Sequence, residues 1–154
     1  MEYMEINSDL SYVRNISKSI ISHAKSIADH FSLTILEEQI SEIIKNAIGH
    51  GNQNNIGKRV KLWYAFSNKI FKIIVEDEGE GFKNLEQWND FNRKRNEALK
   101  AGNMEEMLKY MQYRGPDSTD MDGGNSLFAA LEYWDNGLVY NNKKNKVVAV
   151  KYLY

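Results

Sequence analysis

Residues 42–52 read EIIKNAIGHGN, and this stretch places polar side chains on an otherwise apolar helix. At about 100° per residue, Glu42, Asn46 and His50 fall in one oblique row beside the apolar face. Core packing does not explain this row, which is either a solvated helix surface or part of a site. The apolar face itself has the spacing that packs against a core and consists of Leu36, Ile40, Ile43, Ile44, Ala47 and Ile48.

A β-hairpin is predicted downstream of this helix, with strands at 59–66 and 69–75 and a two-residue loop at 67–68. Successive side chains of a strand point to opposite faces of the sheet. Counted from Phe71, the alternation places Asp77 on the same side as the apolar residues of the second strand. The hairpin therefore predicts a carboxylate that points inward.

The motif EDEGEGF, residues 76–82, follows this strand directly. Gly79 and Gly81 let the backbone turn away from the strand and approach a flat ligand without a side-chain clash. The carboxylate of Asp77 can accept the exocyclic amino hydrogens of a purine, which would be a base-specific contact. The alternative interpretation is an acidic turn after an edge strand, because a single match of this kind is common.

A second glycine-containing motif, DGGNSLFAAL at residues 122–131, precedes a predicted helix. Gly124 and Ser126 lie just before the helix start near Leu127, where free backbone N–H groups and the helix dipole favour anions such as phosphate. A flexible loop and a simple helix cap explain the same residues, and the two interpretations are compatible.

The composition predicts an ordinary globular domain. The chain has 154 residues, of which 42% are hydrophobic and 27% charged, and its net charge is -1. This length favours a single domain. Nucleic acid is not an expected partner, because there is no basic excess. No cysteine is present, which excludes disulfides, thiolate zinc sites and cysteine nucleophiles. No apolar run reaches the roughly 18 residues of a membrane span, so we expect a cytoplasmic protein.

The order of predicted elements favours an α+β fold. A short strand is followed by two helices, of which the second is predicted to begin at a cap formed by Thr34 with Glu37. The hairpin, a helical insert, a further helix and a C-terminal hairpin around NNKKNK complete the chain. This grouping predicts a two-layer α/β sandwich, in which helices cover one face of a mixed, mainly antiparallel sheet.

The three motifs occur in a fixed order, and together they resemble the GHKL-type ATP-binding domain of gyrases, histidine kinases and MutL. Within that group the chain is most similar to the small anti-sigma-factor serine kinases, over nearly its whole length. EIIKNAIGHGN looks like the N box, EDEGEGF like the first glycine box and GGNSLFAALEYWD like the second. The resemblance implies the Bergerat-type ATPase fold over residues 1–154, with an extended lid insert at about 83–123.

The resemblance also implies roles for individual residues. Glu42 would be the general base, Asn46 the Mg²⁺ ligand, and Asp77 the acceptor of the adenine amino group. His50 would lie at the edge of the pocket. The residues next to the nucleotide would be Gly79, Gly81, Gly124, Ser126 and Leu127.

Two positions depart from the family pattern. Ser126 stands where the second glycine box usually has a glycine, which makes the phosphate contact less assured. The last hairpin usually carries a threonine that supports the adenine-binding aspartate, and this chain has Lys146 or Val147 there. The lid insert is also longer than in the small kinases.

The resemblance implies an ATP- and Mg²⁺-dependent serine/threonine protein kinase in bacterial regulation. It would phosphorylate a small antagonist protein, bind a sigma factor and form a homodimer, without contacting nucleic acid or a membrane. The departures favour an alternative, a non-catalytic module that sequesters a partner under nucleotide control. A histidine-kinase-like ATPase domain is a third interpretation.

Overall fold

The fold is described from a computed structural model. It covers residues 1–80, 93–94, 97–98, 100–102, 105, 133–135, 137–143 and 145–153. The chain divides into two compact units, residues 1–82 with 133–154, and residues 83–132. The second unit contains the predicted lid insert, most of which lies outside the described residues. Within it, Gly102 follows a helical residue and has a φ of 66°, a conformation in which glycine commonly ends a helix.

The first unit contains one antiparallel sheet. Among the described residues its strands lie in the order β1-β2-β3-β5-β4, and every neighbouring pair is antiparallel. The prediction of a mainly antiparallel sheet is therefore confirmed. The strands are β1 (Glu2–Asn7), β2 (Arg59–Ser67), β3 (Ile70–Glu76), β4 (Val139–Tyr140) and β5 (Lys146–Tyr152).

The turn of the β2–β3 hairpin lies one residue later than predicted. Asn68 and Lys69 have φ values of 48° and 64°, while Ser67 pairs with Ile70 as the last rung of the ladder. Two consecutive residues with positive φ form the turn whose twist matches a tight hairpin. Asn68 adopts this conformation readily, so the loop is 68–69 rather than 67–68.

Two helices pack beside the sheet, α1 (Val13–Ser22) and α2 (His30–Asn46). The predicted start of α2 at Thr34 is wrong. Asp29 caps the helix, because its Oδ1 accepts the backbone N–H of Ser32 at 2.8 Å. Thr34 lies inside the helix and its hydroxyl donates to the carbonyl of His30 at 2.9 Å. The helix therefore begins at His30, and Asp29 satisfies a free N–H group of its first turn.

The core lies between the helices and one face of the sheet. On β3, Phe71, Ile73 and Val75 are buried, and the residues between them are more exposed. Ile40 and Ile44 of α2 are completely buried. The opposite face of the sheet is more polar, and there Lys146 Nζ lies 4.8 Å from the ring centre of Trp63. These layers confirm the predicted α+β two-layer sandwich.

Helix α2 does not fray at its glycines. It continues into a π-helical turn at Ala47–Gly51, in which the Asn52 N–H donates to the Ala47 carbonyl at 2.8 Å. The chain leaves the helix through Gln53 and Asn54, whose φ values are 53° and 58°. Gly49 and Gly51 therefore belong to the π-helical turn. Turns of this kind occur frequently at functional sites.

Candidate functional site

A recess lies between the end of α2 and the edge of the sheet. It is a shallow recess that is open to solvent, and about 360 Å³ of space lies in it when the adjoining open solvent is counted. The described residues that line it are Ile43, Asn46, Ala47, Gly51, Val75, Asp77, Tyr140, Asn145 and Val147.

The recess combines an apolar slot with polar groups at its margin. Ile43 and Ala47 come from the helical side, whereas Val75 and Val147 come from strands β3 and β5. All four side chains are buried. A slot with apolar walls and a few polar groups is the usual form of a site for a flat organic ligand.

Asp77 is the acidic group of the recess. Its side chain points to the core side of β3, as the alternation predicts, and it lines the recess. Its Oδ1 accepts the backbone N–H of Gly79 at 2.8 Å. Burial raises the pKa of this carboxyl group to about 6, and the charge of Glu76 adds to the effect against the opposing Gly79 hydrogen bond. A strongly shifted carboxyl group in a cleft is a candidate functional group.

Two glycines approach Asp77 so closely that neither position has room for a side chain. A methyl group at Gly51 would overlap the Asp77 carboxylate, and one at Gly79 would overlap the backbone carbonyl of Gly51. At Gly49, in the same π-helical turn, a methyl group would meet nothing within 4 Å. The glycine requirement is therefore specific to the contact between the π-helical turn and the motif after β3.

Asn145 holds the backbone of Asp77 from the other side. The Asp77 N–H donates to the Asn145 carbonyl at 2.8 Å, and Asn145 Nδ2 donates to the Asp77 carbonyl at 3.2 Å. Asn145 Oδ1 in turn accepts a hydrogen bond from Asn141 Nδ2 at 3.1 Å. This support comes from the turn before β5, close to the position where the family pattern has its threonine.

Lys146 and Val147 do not supply the polar group of that threonine. The Val147 side chain is apolar and lines the recess. Lys146 points to the opposite face of the sheet, where its Nζ lies 3.2 Å from Glu76 Oε2 and over the ring of Trp63. Neither residue therefore offers a polar side chain to the recess.

The three residues of the polar row, Glu42, Asn46 and His50, do not all lie at the recess. Asn46 lines the recess. Glu42 does not, and its side chain is 47% exposed with Oε1 at 3.3 Å from Lys45 Nζ. His50 is exposed and is also absent from the described lining residues. The roles of Glu42 as base and of His50 at the pocket edge stay predictions.

The remaining predicted site residues, Gly81, Gly124, Ser126 and Leu127, lie outside the described residues. In the described part of the chain, no group of three or more His, Asp and Glu side chains could hold a metal ion. A Mg²⁺ ion bound with a nucleotide needs only one or two protein oxygens, because phosphate oxygens and water complete its shell. The amide oxygen of Asn46, at the wall of the recess, fits that limited requirement.

Asn52 is a central residue that the sequence reasoning missed. It is completely buried, and its Oδ1 accepts the backbone N–H of Glu78 at 2.7 Å. Its Nδ2 donates to the Arg59 carbonyl at 3.0 Å and to Ser8 Oγ at 2.8 Å. One amide therefore joins the π-helical turn, the residue that follows β1, strand β2 and the glycine motif after β3.

We expect Asn52→Ala to lower the free energy of unfolding by about 2 kcal/mol, because the partly buried Glu78 N–H and Arg59 carbonyl lose their partner and the buried amide leaves a gap. Asn55→Ala is the matched control, since Asn55 is exposed and its Oδ1 accepts only the nearby N–H of Gly57 at 2.9 Å. Urea denaturation followed by tryptophan fluorescence measures both variants. Equal losses would contradict the central role of Asn52.

Comparison with known proteins gives a partial similarity. No protein-family model matches the chain. Over 87 residues, or 56% of its length, the chain is 26% identical to the anti-sigma F factor of Bacillus velezensis. The chain spans 58% of the length of that relative. This similarity supports an anti-sigma-factor type of regulatory protein only in general terms. No helix in the described part of the chain is long and apolar enough to cross a membrane.

Proposed function

We propose that the chain binds ATP in the recess beside Asp77 and acts as a serine/threonine protein kinase of the anti-sigma type. The observation that carries this proposal is the Asp77 carboxylate, which faces an apolar slot while Gly51 and Gly79 touch it closely. The similarity to an anti-sigma F factor supports the regulatory class. On this basis we propose a sigma factor as binding partner and a small antagonist protein as phosphoacceptor.

The slot is suited to a purine ring. We propose that Ile43 and Ala47 on the helical side, and Val75 and Val147 on the strands, contact the two faces of the ring, because all four line the recess. Asp77 Oδ1 accepts the Gly79 N–H, and we propose that the carboxylate also accepts the adenine amino group, since a carboxylate has further acceptor positions. This contact selects for a base that presents a donor at that point.

The triphosphate is proposed to extend toward Asn46. Its amide oxygen would hold a Mg²⁺ ion, which neutralises phosphate charge during phosphoryl transfer. Backbone N–H groups around Gly124, Ser126 and Leu127 are the proposed contacts for the phosphates, as the sequence motif indicates. Asn46 is therefore the residue that connects the base site to the site of the chemical step.

Glu42 is proposed to act as the general base. It lies one helical turn before Asn46, and its carboxylate is half exposed, so a hydroxyl group of another protein can reach it. The carboxylate would accept the proton of the serine or threonine hydroxyl while that oxygen forms a bond to the γ-phosphorus. The bond from the γ-phosphorus to the bridging oxygen breaks, and ADP leaves.

One observation favours a second candidate, a non-catalytic module that binds the nucleotide and sequesters a partner. Glu42 is absent from the described lining of the recess and lies 3.3 Å from the ammonium group of Lys45. An engaged carboxylate outside the recess is consistent with a surface role. Both candidates require nucleotide binding, and they differ in whether phosphate is transferred.

A thermal-shift measurement tests the nucleotide-binding step. At a hundredfold excess over its Kd, Mg-ATP adds about 2.7 kcal/mol of stability, which is a rise in Tm of about 5–10 °C for a chain of this size. We expect this rise in Tm for the wild type and for Gly49→Ala. Gly51→Ala should lose it, because the methyl group added at Gly51 displaces the Asp77 carboxylate.

Gly49→Ala is the matched control, since it lies in the same π-helical turn and has open space around it. No shift for the wild type at millimolar Mg-ATP would count against both the kinase and the nucleotide-gated module. Equal shifts for the two alanine variants would show that the close contact at Gly51 is not needed for binding.

A further inference from the structure

The turn between β4 and β5 holds both backbone polar groups of Asp77. The Asn145 carbonyl accepts the Asp77 N–H at 2.8 Å, and Asn145 Nδ2 donates to the Asp77 carbonyl at 3.2 Å. Asp77 lies one residue beyond the last rung of the ladder between β3 and β5, in which Glu76 pairs with Lys146. The two contacts therefore continue the attachment of β3 to its neighbour past the end of the strand.

Asn145 is itself held by a second amide, that of Asn141. Asn141 Nδ2 donates to Asn145 Oδ1 at 3.1 Å, and Asn141 Oδ1 accepts the backbone N–H groups of Asn145 at 3.1 Å and of Lys146 at 3.2 Å. The Asn141 N–H donates to the Lys146 carbonyl at 3.0 Å. Because the Asn145 Oδ1 faces Asn141, its Nδ2 is directed to the other side, where the Asp77 carbonyl lies. We call the two amides the Asn141–Asn145 pair.

The carboxylate of Asp77 needs this support to stay in the recess. Burial raises its pKa to about 6, so the charged form is less favourable in the recess than in water. On a loosely held backbone the carboxylate would turn toward solvent, and Gly79 gives the chain that follows the freedom to allow it. Because Asn145 holds both the N–H and the carbonyl of Asp77, the side chain keeps its direction toward the recess.

Resting on the proposed ATP site, we infer that the Asn141–Asn145 pair positions Asp77 for the amino group of the purine, and so determines how strongly the site prefers a base that carries this group. Asn145 acts through the backbone of Asp77 in this role, and Asn141 acts through Asn145. Without the pair the carboxylate would still be present, but it would face the recess for less of the time. The pair therefore governs recognition of the amino group and leaves the apolar contacts of the ring unchanged.

Calorimetric titration with two nucleotides tests this inference. ATP and purine riboside triphosphate differ only in the 6-amino group, which is a hydrogen atom in the second, so the ratio of their Kd values measures the contribution of that group. We expect the wild type to bind Mg-ATP about thirtyfold more tightly than the analogue, which is typical of a hydrogen bond to a charged group. In Asn145→Ala the preference should fall to about threefold, because ATP binds about tenfold more weakly while the affinity for the analogue stays the same.

The ratio of the two affinities separates a positioning role from a structural one. A substitution that only loosened the fold would weaken both nucleotides equally and leave the ratio unchanged. Asn142→Ala is the matched control, since Asn142 is an exposed asparagine of the same turn, and it should keep the preference of the wild type. Asn141→Ala is the second variant, because it keeps Asn145 but removes the contact that orients its amide, and its preference should also fall.

An unchanged preference in Asn145→Ala would overturn the inference. If urea denaturation shows that this variant is unfolded under the conditions of the titration, Asn141→Ala decides instead, and an unchanged preference there has the same meaning. A wild type that binds neither nucleotide contradicts the proposed function, and the inference fails with it. A wild type that prefers ATP, beside an Asn145→Ala variant with the same preference, contradicts the inference alone.

Discussion

The Asp77→Asn variant is expected to bind Mg-ATP about a hundredfold more weakly than the wild type, while its fold without nucleotide becomes more stable. The loss of affinity follows because an amide at this position presents a donor to the adenine amino group or gives up its charge-assisted hydrogen bond. The gain in stability follows because the variant has no carboxylate to bury. Weaker ligand binding together with a more stable fold is the expected result when a residue is kept for binding although it destabilises the folded protein.

The pH dependence of stability checks the second effect. The pKa of Asp77 is raised from its ordinary 3.8 to about 6, so the folded state binds the proton more tightly than the unfolded state. The wild type therefore has the full benefit of the neutral group below about pH 4, and loses it as the pH rises toward 6. Above pH 6 the variant should be more stable by about 1–2 kcal/mol, allowing for partial solvent screening of the carboxylate.

Urea denaturation at several pH values measures this difference, and calorimetric titration measures the affinity. Glu80→Gln serves as the control for charge, because Glu80 is exposed on the turn that follows Asp77. We expect it to leave both quantities nearly unchanged. If Asp77→Asn were less stable than the wild type at every pH, the carboxylate would be part of the structural framework, and its proposed role toward adenine would lose its main support.

The Glu42→Gln variant is expected to lower phosphate transfer to a serine- or threonine-bearing antagonist protein by about 10²–10⁴-fold. Glutamine keeps the size of the side chain and its place on the helix, but it cannot accept the proton of the attacking hydroxyl. The affinity for ATP should change little, because Glu42 is not among the described residues that line the recess. Unchanged ATP affinity together with a large loss of phosphate transfer is the result expected when a general base is removed.

Phosphate transfer from labelled ATP is measured under single-turnover conditions, and the Kd for ATP is measured separately for each variant. Glu38→Gln is the matched control, since Glu38 lies one turn earlier on α2 and is exposed. Equal transfer by the wild type and by Glu42→Gln would remove Glu42 from the chemical step. A wild type that binds ATP but transfers no phosphate would support the sequestration module instead.

The parts of the fold that follow from local periodicity could be predicted from the sequence. The alternation of β3 correctly predicts that Asp77 points inward, whereas the apolar spacing of α2 leaves open whether Asn46 lies at the surface or in a site; in the structure both line the recess. The start of α2 could not be predicted as well, because Asp29 and Thr34 are both good capping residues and only one can be used. Which of the two residues caps the helix depends on how the whole helix packs, so the local capping pattern does not predict it.

The supporting amides were not predictable for a different reason. Asn52 lies in the stretch GNQNN and Asn145 in NNKKNK, where neighbouring asparagines have the same local signature. Their roles depend on partners distant in the chain, such as Glu78 for Asn52 and Asp77 for Asn145. A buried amide is distinguished from an exposed one only by the tertiary structure, since both satisfy the pattern of a polar loop.

The π-helical turn at Ala47–Gly51 has a consequence for how this site can change in evolution. Its i→i+5 hydrogen bond takes up one residue more than an α-helical turn would, and each residue of a helix advances the chain by about 100°. Removing a residue there would rotate Gly51 and Asn52 away from the motif that follows β3, while the upstream helix stayed packed. The position of Gly51 and Asn52 relative to the motif after β3 therefore depends on the number of residues in the turn, and we expect that substitutions alone do not restore it after a deletion.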